Sequence, residues 1–110
     1  MARTTLATQT IRVIGTEPVW TSAEADGHKV EGSGGVFIYV RNTGSATRSI
    51  TIPTTFSVVG LDLVDAGGDV LAGEDRIFGS FRGDIFNQDD GTVHIDIDDP
   101  TDVQIAAFKL

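Results

Sequence analysis

GVFIYVRNTGSATRSITIPT, residues 35–54, carries the strongest secondary-structure signal in the chain. Val36-Phe37-Ile38-Tyr39-Val40 is apolar throughout and mostly β-branched or aromatic. Such side chains fit a pleated, half-buried surface, so the run predicts a strand. A polar link follows from Arg41 to Arg48, in which Asn42 and Gly44 tolerate the positive φ that a reversal needs. Ser49-Ile50-Thr51-Ile52 then alternates polar and apolar before Pro53. The pattern predicts two antiparallel strands joined by a turn. The second strand has one wet face. The first is apolar on both: Val36, Ile38 and Val40 suit a core, while Phe37 and Tyr39 need a cover. That cover comes either from Trp20 and residues 17–35 or from a neighbouring copy, which makes Phe37, Tyr39 and Trp20 the candidate contact between copies.

Downstream, residues 56–59, 61–64 and 69–72 are short apolar-rich pieces punctuated by Gly60, Ala66-Gly67-Gly68 and Gly73. Residues 76–81 form another strand candidate. Phe78, Phe81, Ile85 and Phe86 gather close together, either filling one end of the core or forming a patch for a partner. Asp90-Gly91 is a strong reversal signal. Residues 92–98 alternate, with Val93, Ile95 and Ile97 on one face and His94, Asp96 and Asp98 on the other. Residues 103–110 make a last strand running to the final residue.

Upstream, residues 17–35 are the least regular. Val19-Trp20-Thr21 is a short extended piece, Ser22-Ala23-Glu24-Ala25 a single helical turn, and Asp26-Gly27 and Gly32-Ser33-Gly34-Gly35 are turns. Thr10-Ile11-Arg12-Val13-Ile14 alternates well enough for a first strand, ended by Gly15. The small, polar residues 1–8 read as an arm, either frayed or ordered against a partner, with Leu6 as anchor and Arg3 as a charge contact. The chain divides into an arm, residues 1–10, and one β domain, residues 11–110. Short strands with turn signals every eight to twelve residues or so predict an all-β, single-domain antiparallel β-sandwich, jelly-roll-like, of about seven to nine strands.

A chain of 110 residues suits one domain with one core. There is no cysteine, which excludes disulfides and thiolate metal sites. Sixteen acidic residues against eight basic give a net charge of −8, which disfavours nucleic acid as a partner. That charge serves solubility or, more sharply, an acidic face turned to water while another face docks. The N-terminus lacks a signal-peptide core and no run is long enough for a bilayer, so the protein is expected to be cytosolic where it is made.

Candidate chemistry is thin. His94, Asp96 and Asp98, with Asp89, Asp90, Asp99 and Asp102 nearby, offer oxygen and imidazole ligands for a cation. Yet residues two apart on a strand lie about 7 Å apart and do not converge on one ion, so a solvated acidic edge is favoured and no metal is expected. With no Cys, two His and no nucleophile elbow, nucleophilic catalysis lacks support, and no phosphate loop is present. Neither an enzyme nor a cofactor is expected.

Several pieces together resemble one family: Met1-Ala2-Arg3-Thr4-Thr5-Leu6, Ala25-Asp26-Gly27-His28, Val36 through Asn42, Val59-Gly60-Leu61, Gly79-Ser80-Phe81, Phe86-Asn87-Gln88-Asp89-Asp90-Gly91-Thr92-Val93, and Ala106-Ala107-Phe108-Lys109-Leu110. They are similar to head decoration, or cement, proteins encoded in tailed-phage head gene clusters. The resemblance spans nearly the whole chain, and residues 86–93 are its most distinctive piece. It implies a non-enzymatic virion protein, made in the host cytoplasm, that binds the major capsid protein on the capsid exterior and braces the head. It also implies clustering at capsid symmetry axes, with trimers favoured. The docking residues are then expected among Ala2, Arg3, Thr4, Thr5 and Leu6, and second among Phe78, Phe81 and Phe86. Two alternatives stand beside it: another phage head or tail component, and a carbohydrate-binding sandwich with Trp20 and Tyr39 as stacking platforms.

Overall fold

The structure, a computed structural model, describes residues 3–32, 35–54, 57–58, 61–62, 65–79, 81, 86–88 and 91–109. Met1, Ala2, Ser33, Gly34, Val59, Gly60, Ser80, Ile85, Asp89, Asp90 and Leu110, named above, and residues 56, 63 and 64 of the apolar-rich pieces lie outside the described residues. The described strands are β1 (Thr4–Thr5), β2 (Thr8–Thr10), β3 (Thr21–Ser22), β4 (His28–Glu31), β5 (Val36–Asn42), β6 (Arg48–Ile52), β7 (Ser57–Val58), β8 (Leu61–Asp62), β9 (Ala66–Val70), β10 (Asp75–Gly79), β11 (Thr92–Ile97) and β12 (Val103–Lys109).

Ten of these make two facing sheets. The first runs β1-β4-β11-β6-β9, the second β10-β5-β12-β2, with β3 also on β12; β7 and β8 pair separately. The protein is thus an all-β sandwich in one domain. Its radius of gyration, 13.8 Å, is close to the roughly 13 Å of a compact domain of this length. The strands outnumber the sequence expectation because pieces of two or three residues carry too few side chains to show a period.

The inward faces predicted for residues 36–40, 49–52 and 92–98 hold, and β12 adds to them. Val36, Ile38 and Val40 on β5, Ile50 and Ile52 on β6, Val93, Ile95 and Ile97 on β11, and Val103, Ile105 and Ala107 on β12 form one buried cluster. Each large side chain so enclosed contributes about 1.5–3 kcal/mol.

The pairing of β5 with β6 does not hold. β5 bonds to β10 and β12, whereas β6 bonds to β11 and β9, so the two lie in opposite sheets. The polar link is an arch over the end of the sandwich, not a hairpin turn. Asn42 builds it. Its side chain is 1% exposed, donates to the carbonyls of Ala46 (2.7 Å) and Val70 (3.0 Å), and accepts from the Gly44 N–H (3.0 Å). The physical reason is that both strands are apolar inward, and facing one another across the core buries both sets at once.

The N-terminal segment is not a free arm. β1 pairs in parallel with β4, Thr4 opposite His28, and the Leu6 N–H donates to the Lys29 carbonyl at 2.9 Å. β2 then pairs in parallel with β12. Residues 6 and 7 therefore cross from one sheet to the other, and Leu6 is buried in the core. These pairings make both sheets mixed; the remaining ladders are antiparallel.

Other local expectations shift. Residues 11–14 are not a strand: β2 ends at Thr10, opposite Lys109, where β12 also ends. Residues 22–25 do not make a helical turn: Ser22 is in β3, and the Gly27 N–H donates to the Glu24 carbonyl to close a β-turn. β9 begins within the glycines taken as punctuation. Gly67 sits at φ 131°, and a Cβ there would run into the Ile50 carbonyl oxygen on β6. Gly67→Ala is therefore expected to cost about 1–3 kcal/mol. Urea unfolding reads this directly; an unchanged midpoint would mean that the close approach of β9 to β6 is not needed.

Candidate functional site

The two outer faces of the sandwich differ in chemistry. Register and alternation put Lys29, Glu31, Ser49, Thr51, Asp69, Thr92, His94 and Asp96 on the outside of the first sheet. That face is polar, and its carboxylates are engaged one by one. Asp96 pairs with the Arg3 guanidinium at 2.5 Å. Asp69 accepts from the Ser49 hydroxyl at 2.7 Å.

Beyond β11, Asp98 accepts from the Ser49 and Asp99 N–H groups, and Asp99 pairs with Arg48 at 3.4 Å. The Thr101 backbone N–H, bonded to the Asp99 carboxylate, holds its pKa below the ordinary value. Asp96, Asp98 and Asp99 thus face three separate sets of protein donors rather than one ion. Among the described residues no group of His, Asp and Glu is arranged to hold a metal.

The outside of the second sheet is apolar. Phe37 and Tyr39 on β5, Ile77 on β10 and Phe108 on β12 share it, and Phe37 stacks on Phe108 with ring centres 5.8 Å apart. With Ile11 and Pro18 they line an open groove of about 350 Å³. Polar groups border it at one end. The Tyr39 hydroxyl donates to Asp75 (2.9 Å), which raises the phenol's pKa, and Arg41 Nε lies 3.5 Å from the same carboxylate. Trp20 meets Tyr39 edge-on, centres 5.0 Å apart, and Arg41 lies 4.3 Å over its ring. Tyr39 is thus covered by Trp20, and Pro18, also within residues 17–35, lines the groove beside Phe37.

Residues 11–19 form the lip of the groove. The Gln9 side-chain amide clamps the Val19 backbone in both directions, at 3.0 and 2.9 Å. The Thr16 hydroxyl accepts from the Arg12 N–H and donates to the Thr10 carbonyl. The Gly15 N–H returns to the Arg12 carbonyl at 2.9 Å, with Gly15 at φ 97°. This closes a tight turn with Val13 and Ile14 at its tip. Ile14 is 91% exposed, Val19 68% and Ile77 57%. Large apolar side chains on an exposed turn tip have no role in the core of their own chain, and exposed apolar surface of this kind is a candidate contact for a partner.

The residues expected to dock are placed differently from one another. Phe78 and Phe81 are buried, and Phe86 packs against the core and against Phe81, ring centres 5.8 Å apart. The Phe cluster fills one end of the sandwich because Phe78 lies on the inward side of β10, leaving Ile77 outward. Leu6 is a core residue rather than an exposed anchor. Arg3 is held on Asp96 and on the Ile95 carbonyl, while Thr4 and Thr5 are exposed on the edge strand. The apolar tip was missed because Val-Ile before Gly is a strand-like signature; only the end of β12 turns it into a loop. Trp20 and Tyr39, the stacking platforms of the carbohydrate-binding alternative, are both half-buried, stand at 84° to one another, and Arg41 lies over the Trp20 ring.

Comparison with protein-family models, curated proteins and solved structures returned no match.

Proposed function

We propose that the protein is a structural virion component of the head decoration class, which binds the outer surface of an assembled phage capsid and braces it without catalysis. One observation carries this: a sandwich with one polar, acidic outer face and one apolar outer face edged by an exposed apolar turn. The apolar face, with Ile77 in its groove and Val13 and Ile14 on the turn at its edge, docks on the major capsid protein. The acidic face stays in water. The resemblance of the sequence to decoration proteins supports the same reading.

Binding of this kind stabilises the shell by mass action, because the ligand binds the assembled lattice and not the dispersed subunits. Each contact need only be modest. A capsid repeats its site many times, and copies that cluster as trimers at a symmetry axis engage several sites together. The test is to mix the protein with capsids of its own phage stripped of decoration and to centrifuge. Saturable co-pelleting is expected. A protein that stays in the supernatant at micromolar capsid sites would sink the proposal.

A further inference from the structure

Residues 11–20 join β2 to β3 without a strand of their own, and their fastening is unusual. Among the described residues, no backbone–backbone hydrogen bond reaches residues 16–19. The backbone N–H and C=O of Val19 end instead on one side chain, ten residues back. Gln9 Nε2 donates to the Val19 carbonyl at 3.0 Å, and Gln9 Oε1 accepts the Val19 N–H at 2.9 Å. A primary amide carries the donor and acceptor of a peptide group, so Gln9 stands in for a neighbouring strand. Nearer the turn, Thr16 Oγ1 accepts the Arg12 N–H and donates to the Thr10 carbonyl.

The segment held in this way is a wall between two hollows. Thr16 and Pro18 line the groove with Phe37 and Ile77. Val19 and Thr21 line a second hollow of about 220 Å³, with Leu6, Ala106 and Ala107. Gln9 serves both sides: it lines the second hollow, and in the register of β2 on β12 it lies opposite Phe108, which lines the groove. The same loop carries Val13 and Ile14 at its exposed tip. A shift of the wall therefore reshapes both hollows and moves the tip at once.

We propose that Gln9 is a positioning residue for docking: by clamping the Val19 backbone it holds residues 11–19 as a preformed apolar ridge, so that the partner meets the turn and both hollows already in shape. The inference rests on the reading of the apolar face as the docking surface. A loop left loose must be ordered when the partner binds, and that ordering is subtracted from the affinity. Both Gln9 bonds are exposed, so water replaces them when the side chain is changed, and the sandwich loses little. The ladder of β2 on β12 is made by backbone and persists without the amide. The clamp thus acts on the loop and not on the core.

Gln9→Met in the full chain separates positioning from contact. It keeps an unbranched side chain of similar bulk and makes it more apolar, but removes both bonds. A face that worked by apolar contact alone would bind as tightly as before, or more so. Positioning predicts the opposite sign: about tenfold weaker binding per site in co-sedimentation isotherms with decoration-free capsids. The Tm is expected to hold. Backbone ¹⁵N order parameters at Ile14 and Val19 are expected to fall from about 0.85 to below about 0.6, while those of Val40 and Ile105 stay high. Should Gln9→Met not fold, Gln9→Ala is read by the same order parameters. Unweakened binding of the variant, unmoved order parameters at Val19, or an equal loss of order at Val40 and Ile105 would each overturn the role of Gln9 alone. A parent protein that stays in the supernatant would overturn the docking reading itself, and the role of Gln9 with it.

Discussion

Asn42→Ala is expected to lower the stability of the fold by about 3 kcal/mol, the largest loss of any polar substitution in the described residues. Asn42 is buried and makes three hydrogen bonds to the backbone, two as donor and one as acceptor. The bonds themselves are worth about 0.5–1.5 kcal/mol each. The greater cost is what remains: the Val70 carbonyl sits inside the sandwich and water does not replace the lost donor, a penalty of about 1–3 kcal/mol. A loss of this size corresponds to a drop in Tm on the order of 10–20 °C for a domain of this length.

Asn42→Asp sharpens the test. It keeps the acceptor for Gly44 but sets a carboxylate against two carbonyl oxygens, so at neutral pH it should be at least as damaging. Thermal unfolding by circular dichroism measures both. A loss under about 1 kcal/mol in Asn42→Ala would mean that the arch from β5 to β6 is held by its strands and not by this side chain.

The double substitution Ile14→Asp, Ile77→Asp is expected to abolish capsid co-sedimentation and leave the fold intact. Both side chains are largely exposed, so the stability change should stay within about 0.5 kcal/mol. On a docking face, the same charges must be desolvated against an apolar partner surface. An apolar anchor fully buried on binding is worth about 2 kcal/mol or more, or roughly 30-fold in affinity at each site. With several sites engaged together, the losses compound and the bound fraction collapses. Thr51→Lys, on the outside of the first sheet, is the control and should pellet as the parent protein does. If the double variant pellets normally and Thr51→Lys does not, the docking face is the acidic one and the assignment of faces is reversed.

The core was legible in the sequence at the level of individual strands. The alternation in residues 92–98 and the apolar run at 36–40 pointed the right side chains inward, because a strand's period is a property of neighbouring residues. β4 was not legible: His28-Lys29-Val30-Glu31 carries one aliphatic residue, and a histidine does not announce itself as core. The candidate site was half legible. Phe37, Tyr39 and Trp20 stood out as apolar or aromatic residues needing cover, and they do lie together. Val13, Ile14, Ile77 and Phe108 did not stand out, since an apolar residue that faces outward has the same local signature as one that faces in.

The sequence by itself determined that this is a small all-β domain without thiol chemistry, and which residues of its longer strands face the core. The tertiary structure alone decided that residues 36–42 and 48–52 belong to opposite sheets, that the first residues are strands of the sandwich, and that the apolar surface lies outside the second sheet. The physical reason is range. A side chain's in-or-out alternation is written every two residues, but sheet membership depends on ladders such as Val36 with Lys109 and Thr4 with His28. Those pairings join parts of the chain that carry no local record of one another, and only the competition for a shared core selects them.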